Sequence, residues 1–319
     1  MLAIILRRIA YTIPIAFGVS VVCFSLVYLA PGDPLQTVLP ADATQDVIDI
    51  VKHEYGFDRP LPVQFGLWLW HVLHGDFGMS IGTRRPVITE VLGSLHNTVI
   101  LVAFAVPIAF SLGYALGAVA GCLPGGWIDR IVTGVAVMGV SVPNYWLGIV
   151  LVIVFAVELM VLPATGMGPG GSATFSVLNP NDLRYLVLPV FTLAMVPIGI
   201  IARTTRAAVA EVRGLDFVIT LRAKGLSEAA VVRHVLKNSL PQVMAVMGLQ
   251  FGYLMGGSIL IETIFTWPGS GFLLAKAIFN RDIPVLQGAI LLLSLVFVAT
   301  NLVVDLLQST IDPRIRRNG

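Results

Sequence analysis

The chain has 319 residues, of which 56% are hydrophobic and only 12% charged, with a formal net charge of +2. Soluble domains carry about twice that share of charge, so a cytosolic enzyme with a charged shell is excluded, as is a disordered chain. Two cysteines, Cys23 and Cys122, are too few for a disulfide scaffold, and the near-neutral total gives no electrostatic footprint for nucleic acid.

A helix needs about 20 apolar residues to cross roughly 30 Å of hydrocarbon. The first such stretch, residues 9–29, follows Arg7 and Arg8. It is too long for a signal-peptide core and no A-x-A site follows, so it reads as an uncleaved anchor. Further stretches run over 98–120, 131–157, 243–261 and 283–304, and a shorter one over 185–202 carries Pro189 and Pro197. Neighbouring helices can satisfy the carbonyls that such prolines free. None of the six contains Asp, Glu, Lys or Arg. The expected fold is therefore an all-α membrane protein with six transmembrane helices.

Placing the amino terminus inside leaves 13 of the 20 basic residues on the inner side with 6 acids, and 7 on the outer side with 12. The balance is then +7 inside and −5 outside, which satisfies the positive-inside rule and puts both termini in the cytoplasm. The predicted organisation is residues 1–30 as amino-terminal segment and first helix, 31–97 as an external insertion, 98–310 as the transmembrane core and 311–319 as a tail. Cys122 falls on the inner side and Cys23 within the membrane, too far apart to bond, so both read as structural.

The external insertion is predicted to hold short helices at 42–53 and 63–73. The second is aromatic, with Phe65, Trp68 and Trp70 among aliphatic residues, and fits either a place on the outer headgroups or packing beneath the loop. His71 and His74 share a helical face, as a metal site requires, but no cysteine or firm carboxylate ligand is near, and solvated histidines explain them as well. In the third stretch, Pro143-Asn144 predicts a kink that either lines a pore with an amide or is merely packed. The outer loop 158–184 is rich in Gly and Pro and is predicted to be irregular. It contains Leu162-Pro163-Ala164-Thr165-Gly166, which matches a sortase sorting pentapeptide but lies mid-chain. Glu262, at the outer end of the fifth stretch, suits contact with cargo or a delivering protein, or capping of the helix.

The inner segment 203–241 is the most informative. Asp216, Phe217, Val218, Ile219, Thr220, Leu221, Arg222, Ala223, Lys224 and Gly225 read as a short helix with Phe217, Val218 and Leu221 on one face. Gly225 then provides a left-handed cap or a close backbone approach. Ser227 caps a second helix, with Glu228 in its first turn, which is predicted to stop before Pro241. The apolar face suits docking on a partner protein or lying on anionic lipid, and Arg213 reads as a solvated or lipid-facing charge.

Arg222-Ala223-Lys224-Gly225-Leu226, followed by Ser227-Glu228, Arg233-His234, Lys237-Asn238 and Leu240-Pro241, resembles the cytoplasmic signature of permease subunits of ATP-binding-cassette importers, usually written EAA-x3-G-x9-I-x-LP. Ile219 stands at its acidic first position, and the run from Gly225 to Pro241 is longer; both departures are similar to the peptide and nickel branch. Arg7-Arg8, Pro31-Gly32-Asp33-Pro34, Gly75-Asp76-Phe77-Gly78-x-Ser80, Asp129-Arg130, Leu162 to Gly166, Pro268-Gly269-x-Gly271, Arg281-Asp282-x-Pro284 and Asp312-Pro313-Arg314 also resemble that branch, in order along the chain. The resemblance implies a type I importer permease. It also implies a second homologous permease, two cytoplasmic ATP-binding subunits, a periplasmic solute-binding protein and a place in the bacterial inner membrane. The implied cargo is a di- or oligopeptide or a glutathione-like solute, with a nickel chelate or another small organic solute as the alternative within the branch.

No phosphate loop of the G-x-x-x-x-G-K-[ST] form is present, so any ATP must be hydrolysed by a partner. The spans lack the ionisable groups that proton-driven carriers use, which disfavours the competing secondary carrier. No nucleophile, acid and base come together in sequence on one side of the membrane, so no catalytic residues and no cofactor are expected in this chain.

Overall fold

The computed structural model describes residues 2–29, 44, 46, 58–256 and 258–311. The predicted helix at 42–53, the Pro31-Gly32-Asp33-Pro34 motif and the tail from Asp312 lie outside the described residues. Among the described residues the fold is all-α, with one antiparallel bridge between Met79 and Pro86. In hydrocarbon every backbone N–H and C=O must be bonded within the protein, and helices do this locally.

The helices are α1 (Leu2–Leu29), α2 (Leu61–Leu73), α3 (Val87–Cys122), α4 (Trp127–Ser141), α5 (Asn144–Leu151), α6 (Pro180–Arg213), α7 (Asp216–Ala223), α8 (Glu228–Gly256), α9 (Ser258–Ile264), α10 (Ser270–Phe279) and α11 (Ile283–Ile311). Of these, α3, α6 and the Ile283–Val304 part of α11 are each long and apolar enough to cross a membrane. The pairs α4 with α5 and α8 with α9 are long and apolar enough only when each pair is taken together across its break, and α1 contains the apolar segment Ile13–Ser25. Each of the six predicted spans falls on one of these.

Several boundaries depart from expectation, and α3 already begins at Val87, within the predicted external insertion. The third span is no kinked helix but two helices meeting at 100°. Val142, held extended at φ −80° and ψ 125°, precedes Pro143, whose ring disfavours the helical region for the residue before it. Beyond the bend α5 runs on into a π-helical turn, Val152–Glu158. The helix expected to stop before Pro241 instead continues through it as α8 to Gly256. An interior proline removes one hydrogen bond, but the remaining backbone groups of an apolar segment gain nothing by leaving the helix. Likewise α6 carries Pro189 and Pro197 and extends to Arg213, so the first part of segment 203–241 is the end of a span helix.

The chain forms two compact units, Met1–Thr98 with Pro268–Ala299, and Val99–Trp267 with Thr300–Gly319. In the first, Val87 and Val91 pack with Ala277, Val285 and Ala289. The buried Asp282 accepts from Ser80 Oγ at 2.6 Å, from the Gly82 N–H at 3.1 Å and from the Val285 N–H at 3.3 Å. It thereby caps α11 and pins the Gly75 to Ser80 motif. Also in this unit, Gln287 Nε2 donates to the Cys23 carbonyl at 2.8 Å.

The second unit is centred on Leu101, Met167, Leu193, Leu254, Ile261, Phe265 and Trp267, all buried. Gly113, Gly117 and Gly121 recur every four residues on α3 and let it approach α6. A Cβ at Gly113 would lie 2.9 Å from Ile201 Cβ, one at Gly121 2.7 Å from Val209 Cβ, and one at Gly117 would overlap the Ala202 carbonyl oxygen. Small residues at this spacing allow close packing where no hydrophobic driving force acts between helices. Gly199 serves α4 in the same way, its Cβ position being 2.6 Å from the Ala136 carbonyl oxygen.

Candidate coupling segment and translocation path

Helix α7 is eight residues long and ends in a Schellman motif. The Gly225 N–H bonds the Arg222 carbonyl at 2.9 Å and the Leu226 N–H bonds the Leu221 carbonyl at 3.3 Å. Gly225 has φ +76°, a left-handed conformation that other residues adopt only at a cost, and nothing in the chain lies within 4 Å of a Cβ built there. Of the two roles open to this glycine, the geometry of this chain carries the cap. Ser227 begins α8 as expected, its hydroxyl 3.4 Å from the Ala230 N–H and its carbonyl accepting from Val231 at 3.0 Å.

The apolar face of α7 turns inward. Val218 is fully buried among Val209, Val212, Val231 and Val235, and Phe217, Leu221, Leu226 and Cys122 pack against the same cluster. Phe217 and Leu221 are thus half-buried fasteners to α6 and α8. The outward side carries Ile219, 64% exposed, with Asp216, Thr220, Ala223 and Lys224 also exposed. Periodicity located the stripe, but the residue that protrudes is the one the apolar-face reading left out.

Charged pairs hold this region. Arg222 makes a two-pronged contact with Glu228 across the Schellman turn, Nε to Oε1 at 2.8 Å and Nη2 to Oε2 at 3.2 Å. The Arg222 guanidinium bonded to it holds the Glu228 carboxyl below the usual range. At the α3 to α4 turn, Arg206 Nε and Nη2 lie 2.9 and 2.8 Å from the two carboxylate oxygens of Asp129. Asp129 is buried and also accepts from the Gly125 N–H at 2.9 Å. Its hydrogen bond to Arg206, assisted by that from Gly125, drives its carboxyl far below the usual range. Arg213 is half-buried and donates to the Cys122 carbonyl, a terminal carbonyl of α3. The expectation of a merely solvated or lipid-facing Arg213 is corrected, since a cation at a helix carboxy terminus satisfies both an orphan carbonyl and the dipole.

At the 100° break, Asn144 is the first residue of α5 and its Nδ2 donates to the Tyr253 hydroxyl of α8 at 3.0 Å. Pro143 holds the extended entry to α5. Tyr145, Trp146 and Tyr253 are exposed beside it. Glu262 is fully buried in α9, and its carbonyl accepts the Trp267 N–H at 2.8 Å. The side chain therefore offers no surface to cargo in this conformation.

Among the described residues no three His, Cys, Asp or Glu side chains gather as a metal site. His71 Nδ1 lies 3.5 Å from Asp76 and His74 Nδ1 2.8 Å from the Trp70 carbonyl oxygen. Cys23 and Cys122 are both free thiols. Two features escaped the sequence reading. The glycine stripe 113, 117, 121 was visible as a small residue every fourth position, whereas the Asp129–Arg206 pair joins residues 77 apart and leaves no local signal.

Comparison with known proteins agrees with this architecture. Residues 113–317 match the family described as binding-protein-dependent transport system inner membrane component, and residues 1–113 match its amino-terminal counterpart. A putative peptide transport system permease of Brucella abortus (strain 2308) is 40% identical over 317 residues, 99% of each chain. The dipeptide transport system permease DppB of Alkalihalophilus pseudofirmus is 38% identical over 332 residues, covering 99% of this chain and all of that one. The glutathione transport system permease GsiC of Escherichia coli (strain K12) is 39% identical over 317 residues, again 99% of each. A chain of the MetNI methionine ABC transporter in an inward-facing crystal form is similar in fold, with a TM-score of 0.52 at 17% identity over 71% of this chain and 96% of that one. The chain belongs to the family of inner membrane components of binding-protein-dependent transport systems, and is a multi-pass permease subunit of that kind.

Proposed function

We propose that this permease forms, with a second homologous permease, the path through which an ATP-driven importer moves peptides of the di- or oligopeptide or glutathione size. Two ATP-binding subunits stand on the side of α7, and a solute-binding protein delivers cargo on the other side. Full-length similarity to permeases named for peptide, dipeptide and glutathione transport supports the cargo class. The charge balance of +7 against −5 supports cytoplasmic termini and a cytoplasmic α7.

The observation that carries the mechanism is the way α7 is built. Its inner face is locked by Val218 into the junction of α6 and α8, and both helices continue directly into spans. An ATPase that grips Ile219, Thr220, Ala223 and Lys224 therefore pulls on two span helices at once. Closure of the ATPases tilts the spans, and the broken α4–α5 and α8–α9 helices supply bends about which the path opens alternately to each side. Pro143 and Asn144 sit at the sharper bend, with the Asn144 amide and the Tyr253 hydroxyl offering uncharged hydrogen-bonding groups to a peptide.

Reconstitution tests the whole reading. Vesicles holding the two permeases, two ATPases and the binding protein should accumulate a radiolabelled dipeptide or glutathione on ATP addition. Vesicles holding this chain alone should bind no ATP and accumulate nothing. Accumulation by this chain alone under a proton gradient would establish a secondary carrier instead.

A further inference from the structure

The external helix α2 has two apolar faces. Gln64, Phe65 and Trp68 turn towards α1. The Phe65 ring lies 5.8 Å from Phe17 and 5.4 Å from Phe24, Trp68 lies 5.8 Å from Phe24, and the Tyr28 hydroxyl bonds Gln64. On the opposite side Val63, Gly66, Trp70 and Leu73 form a stripe at i, i+3, i+7 and i+10, with Trp70 62% and Leu73 73% exposed. The thirteen residues of α2 contain no Asp, Glu, Lys or Arg. In water, a helix apolar on both sides leaves one face uncovered.

The position of α2 says what covers it. Phe17, Phe24 and Tyr28 lie within the apolar run 9–29 that forms the first span. Phe17 is eleven residues from Tyr28, roughly 16 Å along the helix axis. A helix resting on these rings lies at the depth of the acyl chains and headgroups, not out in the aqueous phase. The same region of α1 leaves Ile13, Phe17, Val21 and Val22 exposed, apolar side chains of the kind a span presents to lipid. Both ends of α2 are polar. Arg59 precedes it, its carbonyl accepting from Gln64 at 2.7 Å, and His71, His74 and Asp76 mark its end. Polar ends with an apolar middle suit a helix lying in the membrane plane, and an exposed Trp suits the headgroup boundary.

We propose that α2 is an in-plane helix of the leaflet holding the carboxy-terminal half of α1, its Val63, Trp70 and Leu73 side chains immersed in bilayer lipid. Naming this leaflet the outer one rests on the proposed orientation; the lipid contact does not. The helix anchors the external segment to the membrane surface and braces α1 from the side.

Nitroxide labelling tests this in the assembled importer in phosphatidylcholine and phosphatidylglycerol vesicles. In a Cys23→Ala, Cys122→Ala background, single labels follow Val63→Cys, Trp70→Cys and Leu73→Cys, with Thr83→Cys on the exposed adjoining loop as reference. The three helix labels should collide with oxygen several-fold more than with a nickel chelate, and Thr83 should show the reverse order. Greater access to the nickel chelate at all three positions would overturn the proposal in favour of a solvated helix. Exclusion of both reagents would overturn it in favour of cover by a partner subunit. If labelled chains fail to assemble, brominated lipid decides on the unlabelled protein. Trp70→Phe should reduce the fluorescence that brominated lipid quenches, and an unchanged quenched component would overturn the proposal. Loss of transport is no part of the expectation, so failure here leaves the importer reading standing.

Discussion

Arg206 grips Asp129 with two parallel hydrogen bonds of 2.9 and 2.8 Å, fastening the first turn of α4 to α6 where the span helices meet the turn at Gly125. The Asp129 side chain is buried while that of Arg206 is 38% exposed, so the arginine keeps part of its hydration and the carboxylate loses most of its own. Removing the guanidinium would leave the costlier of the two groups unpaired.

The pair should make stability depend on pH in a defined direction. The folded carboxyl is held below the ordinary aspartate value of about 3.9. Its contribution is thus complete above that value and is lost as pH falls towards the folded one. Asp129→Asn should lower the melting temperature at pH 7, and the gap from the unsubstituted protein should narrow below about pH 4. A gap of equal size at pH 7 and pH 3 in the same detergent would show that the carboxylate charge contributes nothing.

Close packing on α3 gives a second expectation. Gly117→Leu drives a side chain into the Ala202 backbone and Thr205, and overpacking of this kind costs about 1 to 3 kcal/mol. Gly134 has nothing within 4 Å of a Cβ position, so Gly134→Ala should be neutral or raise stability by up to about 1 kcal/mol through helix propensity. Unfolding of both variants in a denaturing-detergent titration checks the contrast. Equal losses at the two sites would refute the assignment of the 113, 117, 121 stripe to the helix contact.

How far the sequence reached follows from which forces are local. Apolar runs located helices at all six predicted spans because the bilayer demands about 20 apolar residues each. Gly225 and Ser227 were legible as helix punctuation because caps are made by neighbours in sequence. Pro143 marked a discontinuity, but its 100° turn depends on how α5 packs, with Gly148 against Phe265 and Thr192. Pro241 read as a stop because proline ends helices in water, whereas here the segment has only apolar surroundings to enter. The orientation of α7 was hidden for a similar reason. A stripe of Phe217, Val218 and Leu221 must be covered, and the valines that cover it lie on the two flanking helices α6 and α8, whose fold-back onto α7 no periodicity within α7 announces. Arg213 and Cys122 are ninety-one residues apart, and no periodicity links them.

The proposed orientation makes a third prediction. A cysteine replacing Thr44 in a Cys23→Ala, Cys122→Ala chain should react with an impermeant maleimide in intact spheroplasts, and one replacing Ser227 should react only after lysis. Ser227 is exposed at the start of α8, so burial would not explain its silence. Labelling of Ser227→Cys from outside would reverse the topology and remove α7 from reach of any cytoplasmic ATPase.

The coupling role proposed for α7 supplies the last prediction, and the two faces of the helix separate it from a merely structural one. Val218→Asp places a carboxylate in the apolar cluster of Val209, Val212, Val231 and Val235, which carries a large desolvation cost. That variant should lose folded protein. Ile219→Asp alters the side chain that projects outward, so folding and membrane insertion should be untouched. If Ile219 fills a pocket on an ATPase, removing such an anchor typically costs about 2 kcal/mol or more of binding, and co-purification of the ATPase and solute-stimulated hydrolysis should both fall by tenfold or more, since about 1.4 kcal/mol is already a factor of ten. Gly225→Ala should act through the cap, at about 1 to 2 kcal/mol for a left-handed residue with a Cβ, and weaken coupling less than Ile219→Asp does. Arg213→Glu is unsuitable as a neutral control, because Arg213 holds the Cys122 carbonyl; Lys224→Gln on the exposed side tests instead whether charge alone matters. Wild-type hydrolysis and assembly with Ile219→Asp, together with release of the segment from anionic liposomes by Lys224→Gln, would make α7 a lipid-surface helix and end its assignment as the coupling element.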